Sequence, residues 1–194
     1  MALRKEEYMY SYGDYLHWSS EIRSEIIDGE IYDMTPAPMR DHQEIAGELF
    51  FQIYSNLRDK PCRVFVAPFD VVLPETGERE EDAKTVVQPD IVVVCDKTKL
   101  TKRGCVGAPD MIIEVLSPRT ATKDMTVKLK LYERFGVHEL WLVHPEEKWV
   151  HVLILNEDGK YAGPQAYDAS GMPAVAVLPG LIIELPRVFP EDED

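Results

Sequence analysis

The sequence has few cysteines and no apolar run long enough to cross a membrane. Cys62, Cys95 and Cys105 are scattered over 194 residues without a CxxC pair, a spacing that favours reduced, mostly buried thiols over a zinc site or a disulfide framework. Every apolar run falls short of the ~20 residues of a membrane span, and the opening MALRKEEYMYSYGDY lacks the apolar centre of a signal peptide. We therefore expect a cytoplasmic protein that does not enter the membrane.

Basic residues are also scarce relative to acidic ones. The chain has 21 Lys and Arg against 35 Asp and Glu, a formal charge of −14. This balance argues against a protein that coats nucleic acid through bulk electrostatic attraction. The charge is uneven, because residues 91–130 contain eight basic and four acidic side chains, a local charge of +4 against −18 elsewhere. The basic segment is either a solvated face or the side that meets a polyanion.

Internal repeats and low-complexity linkers are absent as well. A length of 194 residues with 45% hydrophobic content is enough for one domain with a substantial core. We expect a single domain over residues 1–189 and an acidic tail, PEDED, over 190–194.

Short apolar strands and a few helices make up the rest of the pattern. The first half predicts a short helix in SYGDYLHWSS, a β-hairpin over 25–34 turning at Asp28-Gly29, an amphipathic helix over 41–57 and a hairpin or strand pair in CRVFVAPFDVVL. The second half predicts strands in VVQPDIVVVC and DMIIEVLS, a helix over about 122–135, a hairpin from HELWLVHP and KWVHVLIL, and one or two closing strands in AVAVLPGLIIEL. Together these elements predict an α/β (α+β) domain with a mixed β-sheet flanked by helices.

One charged residue interrupts a strand that is otherwise predicted to be buried. Glu114 stands within PDMIIEVLSP, where an ionised carboxylate costs on the order of several kcal/mol unless it is compensated. A structural salt bridge is one possible compensation. A metal ion is the other, because Asp90 opens the strand DIVVV and the two acids meet if these strands are neighbours. Two carboxylates, a backbone carbonyl and waters suit Mg²⁺ or Mn²⁺, although Asp90 by itself is explained equally well as a turn cap.

A lysine on the apolar face of the predicted helix is the third candidate. At about 100° per residue from Val127, the apolar positions Leu131, Phe135 and Tyr132 fall within an arc of roughly 140°, and Lys128 lies inside that arc at about 100°. Lys128 either extends its stem along the core with its ammonium in water or meets the two carboxylates. In the second arrangement it can orient an attacking water and offset charge on the phosphorus of a phosphodiester.

Two further residues are ambiguous on spacing alone. His42 shares a predicted helical face with Leu49, Ile53 and Leu57, so it points inward, where a hydrogen-bonded core histidine is the ordinary explanation. Glu25 precedes IIDGE and reads as an exposed hairpin residue.

Several motifs in consistent order resemble a known family. PDIVVV, IEVLSP and KLKLYERFGVHELWLVHP resemble the Uma-type restriction endonuclease family of the PD-(D/E)xK nuclease superfamily. EIIDGEI is similar to that family's opening hairpin, TPAPMRDHQEIAGEL to its histidine-bearing helix start, and VLPGLIIEL to its closing strand. The likeness covers nearly the whole chain and implies a restriction-endonuclease-like fold.

The resemblance also implies a metal-dependent active site. Asp90 and Glu114 would be ligands of Mg²⁺ or Mn²⁺, the Val115 carbonyl a further ligand, and Lys128 the catalytic lysine. The superfamily pattern places its lysine two residues after the glutamate, where this chain has Leu116. The family resembled here brings the lysine from the following helix, in agreement with the helical position of Lys128.

The resemblance extends to residues around this set. Glu25 and His42 match family positions near the site, and Tyr132, one turn beyond Lys128, would shape the same pocket. The candidate substrate contacts are Tyr132, Arg119 and Lys123. The chain departs from the family pattern at Ser24, where an aromatic residue is common, and at His144, where an aspartate is usual.

These expectations lead to two classes of function. The first is a Mg²⁺- or Mn²⁺-dependent endonuclease acting on double-stranded or branched DNA, a homodimer by analogy with the superfamily. The alternative is a catalytically silent module of the same fold that binds nucleic acid or a protein partner, which the acidic bulk favours. Against this alternative, a site that had lost its activity would have no reason to keep Glu114, whose burial is costly. The sequence leaves hydrolysis of RNA open.

Overall fold

A computed structural model describes residues 8–18, 24–33, 39–117 and 121–189. In chain order, the helices and strands of these residues are α1 (Tyr12–Tyr15), β1 (Ser24–Ile27), β2 (Glu30–Asp33), α2 (Arg40–Leu57), β3 (Arg63–Val66), β4 (Asp70–Val72), β5 (Val86–Val87), β6 (Ile91–Val94), β7 (Gly104–Val106), β8 (Met111–Val115), α3 (Ala121–Phe135), β9 (Glu139–His144), β10 (Trp149–Ile154), β11 (Gln165–Asp168) and α4 (Leu185–Val188). The predicted acidic tail, 190–194, lies outside the described residues. Within them, no helix combines the length and apolarity that a membrane span requires.

The strands form two mixed sheets. The small sheet has the order β2-β1-β5-β4-β7 and the large sheet the order β11-β10-β9-β8-β6-β3. Most neighbouring strands are antiparallel, whereas β4 and β7, and β8 and β9, pair in parallel. The chain crosses from the small sheet to the large one between β5 and β6, at residues 88–90.

The large sheet is covered on both faces, which explains its nearly continuous apolar strands. One core contains Leu49 and Ile53 of α2 together with Ile113 of β8. The other contains Leu131 of α3 and Ile112 of β8. Because side chains alternate along a strand, the residue after Ile113 in β8 points toward the face covered by α3.

Several predicted elements are confirmed. The hairpin of β1 and β2 turns at Asp28 and Gly29, whose φ angles of 51° and 83° are both positive, as a tight two-residue hairpin turn requires. Helices α2 and α3 match the predicted ranges of 41–57 and about 122–135 to within one residue. Strands β9 and β10 form the predicted antiparallel hairpin, with His144 opposite Trp149.

Two apolar stretches each contribute to both sheets. The prediction of a hairpin in CRVFVAPFDVVL was wrong, since β3 lies in the large sheet and β4 in the small one. In VVQPDIVVVC, the predicted buried strand is confirmed as β6, and β5, before Pro89, lies in the small sheet. Each stretch contains a proline, Pro68 or Pro89, which supplies no backbone N–H to a ladder and marks the place where the chain changes sheet.

The predicted closing strands in AVAVLPGLIIEL were also wrong. This segment makes a single bridge between Ala174 and Ile182 and leads into α4. The turn between them contains Pro179 and Gly180, and Gly180 has a φ of 87°, a left-handed conformation that interrupts an extended strand. The short strand β11, whose residues are mostly exposed, was not predicted.

The expectation of reduced cysteines was wrong for two of the three. Cys62 and Cys95 form a disulfide. Arg63 of β3 lies opposite Val94 of β6, so the antiparallel register brings together the residue before β3 and the residue after β6. Cross-strand register cannot be deduced from a separation of 33 residues. Cys105 remains free and buried, and burial raises the pKa of its thiol to about 12.

Candidate active site

The two predicted carboxylates lie opposite each other on neighbouring strands. Strands β6 and β8 are antiparallel with Ile91 opposite Ile113, a register that sets Asp90 opposite Glu114. The Val115 N–H donates a hydrogen bond of 2.8 Å to Asp90 Oδ2. This bond fixes the Asp90 carboxylate against the end of β8, next to the residue that carries the second acid. The predicted neighbourhood of these strands is confirmed.

The buried Glu114 is compensated by two side chains of α3. Glu114 is 9% exposed, and its Oε1 lies 3.1 Å from Lys128 Nζ. The same oxygen accepts a hydrogen bond of 2.6 Å from the Tyr132 hydroxyl. The Lys128 side chain is only 16% exposed, so its ammonium meets the carboxylates instead of extending into water. In the structure, a salt bridge and a phenol hydrogen bond supply the compensation that the sequence requires.

Glu25, in β1 of the small sheet, joins Asp90, Glu114 and Lys128 in one cluster of charged side chains. It is 6% exposed, and its Oε1 accepts a hydrogen bond of 2.9 Å from Lys128 Nζ and another of 2.9 Å from the Gln88 N–H. The interpretation of Glu25 as an exposed hairpin residue was therefore wrong. The family resemblance implied a position near the site for Glu25, and its contact with Lys128 agrees with that expectation.

His42, near the start of α2, contacts the same Asp90 oxygen that accepts the hydrogen bond from the Val115 N–H. Its Nε2 lies 3.3 Å from Asp90 Oδ2. Its Nδ1 is buried and has no hydrogen-bond partner among the described residues. Burial lowers the pKa of His42, but Asp90 and the nearby Val115 carbonyl raise it by more, so the pKa lies above its ordinary value. His42 is thus a buried histidine that contacts Asp90 through one ring nitrogen, and its other ring nitrogen is enclosed by the protein.

The cluster contains more negative than positive charge. It holds three carboxylates, of which Glu25 and Glu114 contact the Lys128 ammonium and Asp90 contacts the His42 imidazole. Burial, with the charges of Asp90 and Glu25, raises the pKa of Glu114 to about 7 despite the opposing effects of Lys128 and the Tyr132 hydroxyl. Burial lowers the pKa of Lys128, but the two glutamates more than offset it and hold that pKa above its ordinary value. The ammonium therefore stays charged, and Glu114 ionises less readily than an ordinary glutamate.

The donor set fits a hard divalent cation. Asp90, Glu114 and the Val115 carbonyl offer oxygen atoms, the ligand type that Mg²⁺ and Mn²⁺ prefer, and such ions usually retain several waters. Among the described residues, no three His, Cys, Asp or Glu side chains converge closely enough to hold a metal ion by themselves. A cation held here would add to the positive charge of Lys128 and His42, and water and the carbonyl would complete its coordination.

A second polar group behind the site was missed by the sequence analysis. Gln88 is buried, and its side chain contacts Asp70 and Tyr15, while its backbone N–H binds Glu25. The signal was a polar residue inside the apolar stretch VVQPDIVVVC, the same signal that singled out Glu114.

Of the three candidate substrate contacts, only the Tyr132 side chain lies within the described part of the chain. Arg119 lies outside the described residues, as does the side chain of Lys123. Tyr132 is fully buried and bound to Glu114, which favours a role in holding that carboxylate over contact with a substrate.

The basic segment does not form one surface around the site. Lys128 lies in the cluster, but Lys97 and Lys99 follow the end of β6 that is remote from Asp90. The Lys99 ammonium donates a hydrogen bond of 2.8 Å to the Ala108 carbonyl. The basic residues that give this segment its charge of +4 therefore lie in at least two separate parts of the fold.

Known proteins resemble this chain in sequence and in fold. The model of the Uma2 family, described as "Putative restriction endonuclease", matches residues 12–186. "Uncharacterized protein slr1290" of Synechocystis sp. (strain ATCC 27184 / PCC 6803 / Kazusa) is 26% identical over 151 residues, which are 76% of this chain and 75% of the relative. The crystal structure of a "putative nuclease belonging to DUF820" from Anabaena variabilis ATCC 29413 has a TM-score of 0.73 at 22% identity, covering 93% of this chain and 97% of that one. This structural similarity confirms the predicted fold.

Proposed function

Since the chain belongs to the Uma2 family, we propose that it is a metal-dependent endonuclease of the PD-(D/E)xK type acting on DNA. The family's description as a restriction endonuclease supports a nuclease function. The observation that carries this proposal is the Lys128 ammonium held between Glu25 and Glu114, with Asp90 opposite Glu114 across the sheet. Carboxylates from two strands and a lysine from the next helix are the groups that phosphodiester hydrolysis needs.

Asp90, Glu114 and the Val115 carbonyl would hold Mg²⁺ or Mn²⁺. When bound, the ion would lower the pKa of a coordinated water and neutralise charge on the scissile phosphate. The Val115 N–H keeps the Asp90 carboxylate in place, and Tyr132 does the same for Glu114. Both ligands are therefore oriented before an ion arrives, which reduces the rearrangement that binding requires.

Lys128 orients the attacking water and stabilises the charge that develops on the phosphate oxygens. An ammonium has three N–H donors, and in the structure Glu25 and Glu114 accept two of them. The third can serve the water or a phosphate oxygen. The water oxygen forms its bond to phosphorus as the bond to the leaving oxygen breaks, and an ammonium fixed on two sides needs little reorganisation during that step.

His42 contributes a positive charge beside Asp90. The raised pKa of its imidazole favours the charged form, which pairs with Asp90 at 3.3 Å. We propose that the exposed part of the His42 side chain, 16% of it, contacts a phosphate of the substrate. We further propose that the protein acts as a homodimer on double-stranded or branched DNA.

A second function is favoured by the same ion pairs. Lys128 and Tyr132 already compensate Glu114 without an added cation, so the cluster is also compatible with a nuclease-like module that binds nucleic acid or a protein and does not cut. Metal binding separates the two, since a non-cleaving module has no need of a divalent ion at Glu114.

The test combines calorimetric titration with Mn²⁺ or Mg²⁺ and cleavage of supercoiled and single-stranded DNA. We expect the wild type to bind metal and to cut, Glu114→Ala to lose both properties, and Lys128→Ala to bind metal without cutting. A wild type that neither binds metal nor cuts any of these DNAs would leave Glu114 as a structural partner of Lys128 and support the binding module.

A further inference from the structure

We propose that Gln88 is a positioning residue of this site, which fixes Glu25 and through it the Lys128 ammonium. The inference rests on the proposed function. Gln88 lies in the crossover between the small and the large sheet, two residues before Asp90. It contacts none of the predicted metal ligands through its side chain in the described hydrogen bonds, so it would act through its neighbours.

The Gln88 side chain is locked by two polar partners. It is 8% exposed, and its Nε2 donates hydrogen bonds of 2.8 Å to Asp70 Oδ1 and 3.0 Å to the Tyr15 hydroxyl oxygen. Tyr15 in turn donates a hydrogen bond of 3.0 Å to Asp70 Oδ1. The three side chains form a closed ring of hydrogen bonds in which both Nε2 protons and the phenol proton are used. Such a ring holds the amide in one orientation, because any rotation breaks at least one buried bond.

The Gln88 backbone transmits this orientation to the site. Its N–H donates a hydrogen bond of 2.9 Å to Glu25 Oε1, the same oxygen that accepts from Lys128 Nζ at 2.9 Å. One oxygen atom is thus held from the crossover on one side and from α3 on the other. If residue 88 moves, Glu25 can follow it and leave Lys128 to Glu114 alone.

The inference predicts a loss of turnover that stability alone does not explain. Gln88→Met keeps the approximate length of the side chain and removes its hydrogen bonds. We expect kcat for DNA cleavage to fall about ten- to a hundredfold, as displaced supporting groups typically cause, while KM changes little. Tyr15→Phe removes one partner of Gln88 and keeps the ring, so a smaller decrease is expected. Val72→Ala, in β4 of the small sheet, is the control for lost packing. It should lower the unfolding midpoint without lowering kcat.

A double-mutant cycle with Glu25 separates positioning from a general structural role. If Gln88 acts through Glu25, Gln88→Met adds little further loss of kcat in a Glu25→Gln background, because the group being positioned has already been changed. Additive losses, or an unchanged kcat accompanied by a lowered unfolding midpoint, would overturn the inference.

A separate readout keeps this inference distinct from the nuclease activity. If the wild type cuts no DNA, the proposed function fails, and a crystal structure of Gln88→Met then tests the positioning. The expected result is a lost or lengthened contact between Glu25 Oε1 and Lys128 Nζ. A contact unchanged from 2.9 Å would show that Gln88 does not position Glu25.

Discussion

Lys128 Nζ lies 3.1 Å from Glu114 Oε1 and 2.9 Å from Glu25 Oε1, so one ammonium joins a strand of each sheet to α3. This relationship makes Lys128 important to the fold as well as to the proposed reaction. Removing the ammonium leaves two buried carboxylates without their cation, and breaking a buried pair in this way is costly.

We therefore expect Lys128→Met to lower the free energy of unfolding at pH 8 by about 3 kcal/mol. Lys130→Met, at an exposed position two residues further along the same helix, should change it by less than about 0.5 kcal/mol. Urea unfolding followed by circular dichroism measures both. Equal effects of the two substitutions would mean that the ion pairs contribute nothing to stability.

Tyr132→Phe tests the second partner of Glu114. The substitution removes the hydrogen bond of 2.6 Å to the carboxylate and should destabilise the protein by about 1–2 kcal/mol. Because this bond opposes the rise in the pKa of Glu114, we also expect weaker metal binding. Tyr161→Phe is the matched control, since it removes a phenol hydrogen bond to the Val137 carbonyl. It should lower stability and leave the calorimetric metal affinity unchanged, and a parallel loss of affinity in both variants would contradict the assigned contact.

Glu139 predicts a pH dependence of stability outside the site. It is fully buried, and burial raises its pKa above the ordinary 4.5 despite hydrogen bonds from the Val177 N–H and the Trp141 indole. Between 4.5 and the raised pKa, the folded protein holds a proton that the unfolded chain has lost. The contribution of Glu139 to the free energy of unfolding therefore decreases as the pH rises through this interval.

Urea unfolding of wild type and Glu139→Gln between pH 4.5 and 7.5 measures this contribution. The difference between the two proteins should change with pH, since glutamine does not titrate. A difference that is constant over the whole interval would mean that the pKa of Glu139 is the same in the folded and unfolded states.

The disulfide supplies a prediction that does not depend on the function. Closing a loop with a sequence separation of 33 residues stabilises a protein by about 3–4 kcal/mol in the chain-entropy model. Reduction should therefore lower the unfolding midpoint of the wild type, and Cys62→Ser should abolish the response to reductant, while Cys105→Ala keeps it. Alkylation of the unreduced, denatured protein followed by mass spectrometry should label one cysteine, and three labels would contradict the disulfide.

The central pair and the lysine could be predicted from the sequence because their signals are local. Glu114 interrupts an apolar strand, Asp90 opens the preceding predicted strand of the same kind, and Lys128 lies on the apolar arc of the next helix. Each signal needs only strand alternation or helical periodicity. Helical periodicity predicted that His42 points inward but not what it meets, and Glu25 carried no such signal. Only the family resemblance placed these two residues near the site.

The remaining features depend on contacts between distant parts of the chain. Gln88 meets Tyr15 across 73 residues and Glu25 across 63, and Cys62 meets Cys95 through strand register. The division of the strands between two sheets was missed for the same reason, since periodicity reports which residues are buried but not which sheet receives them.

The most direct test of the central claim is the cleavage of supercoiled plasmid DNA at saturating Mn²⁺ by wild type, Lys128→Met and Lys130→Met. We expect wild type and Lys130→Met to convert the plasmid to nicked or linear forms at the same rate, and Lys128→Met to bind Mn²⁺ and leave the plasmid intact. Cleavage by Lys128→Met at the wild-type rate would rule out the proposed role of Lys128, because the ammonium between Glu25 and Glu114 would then have no part in the reaction.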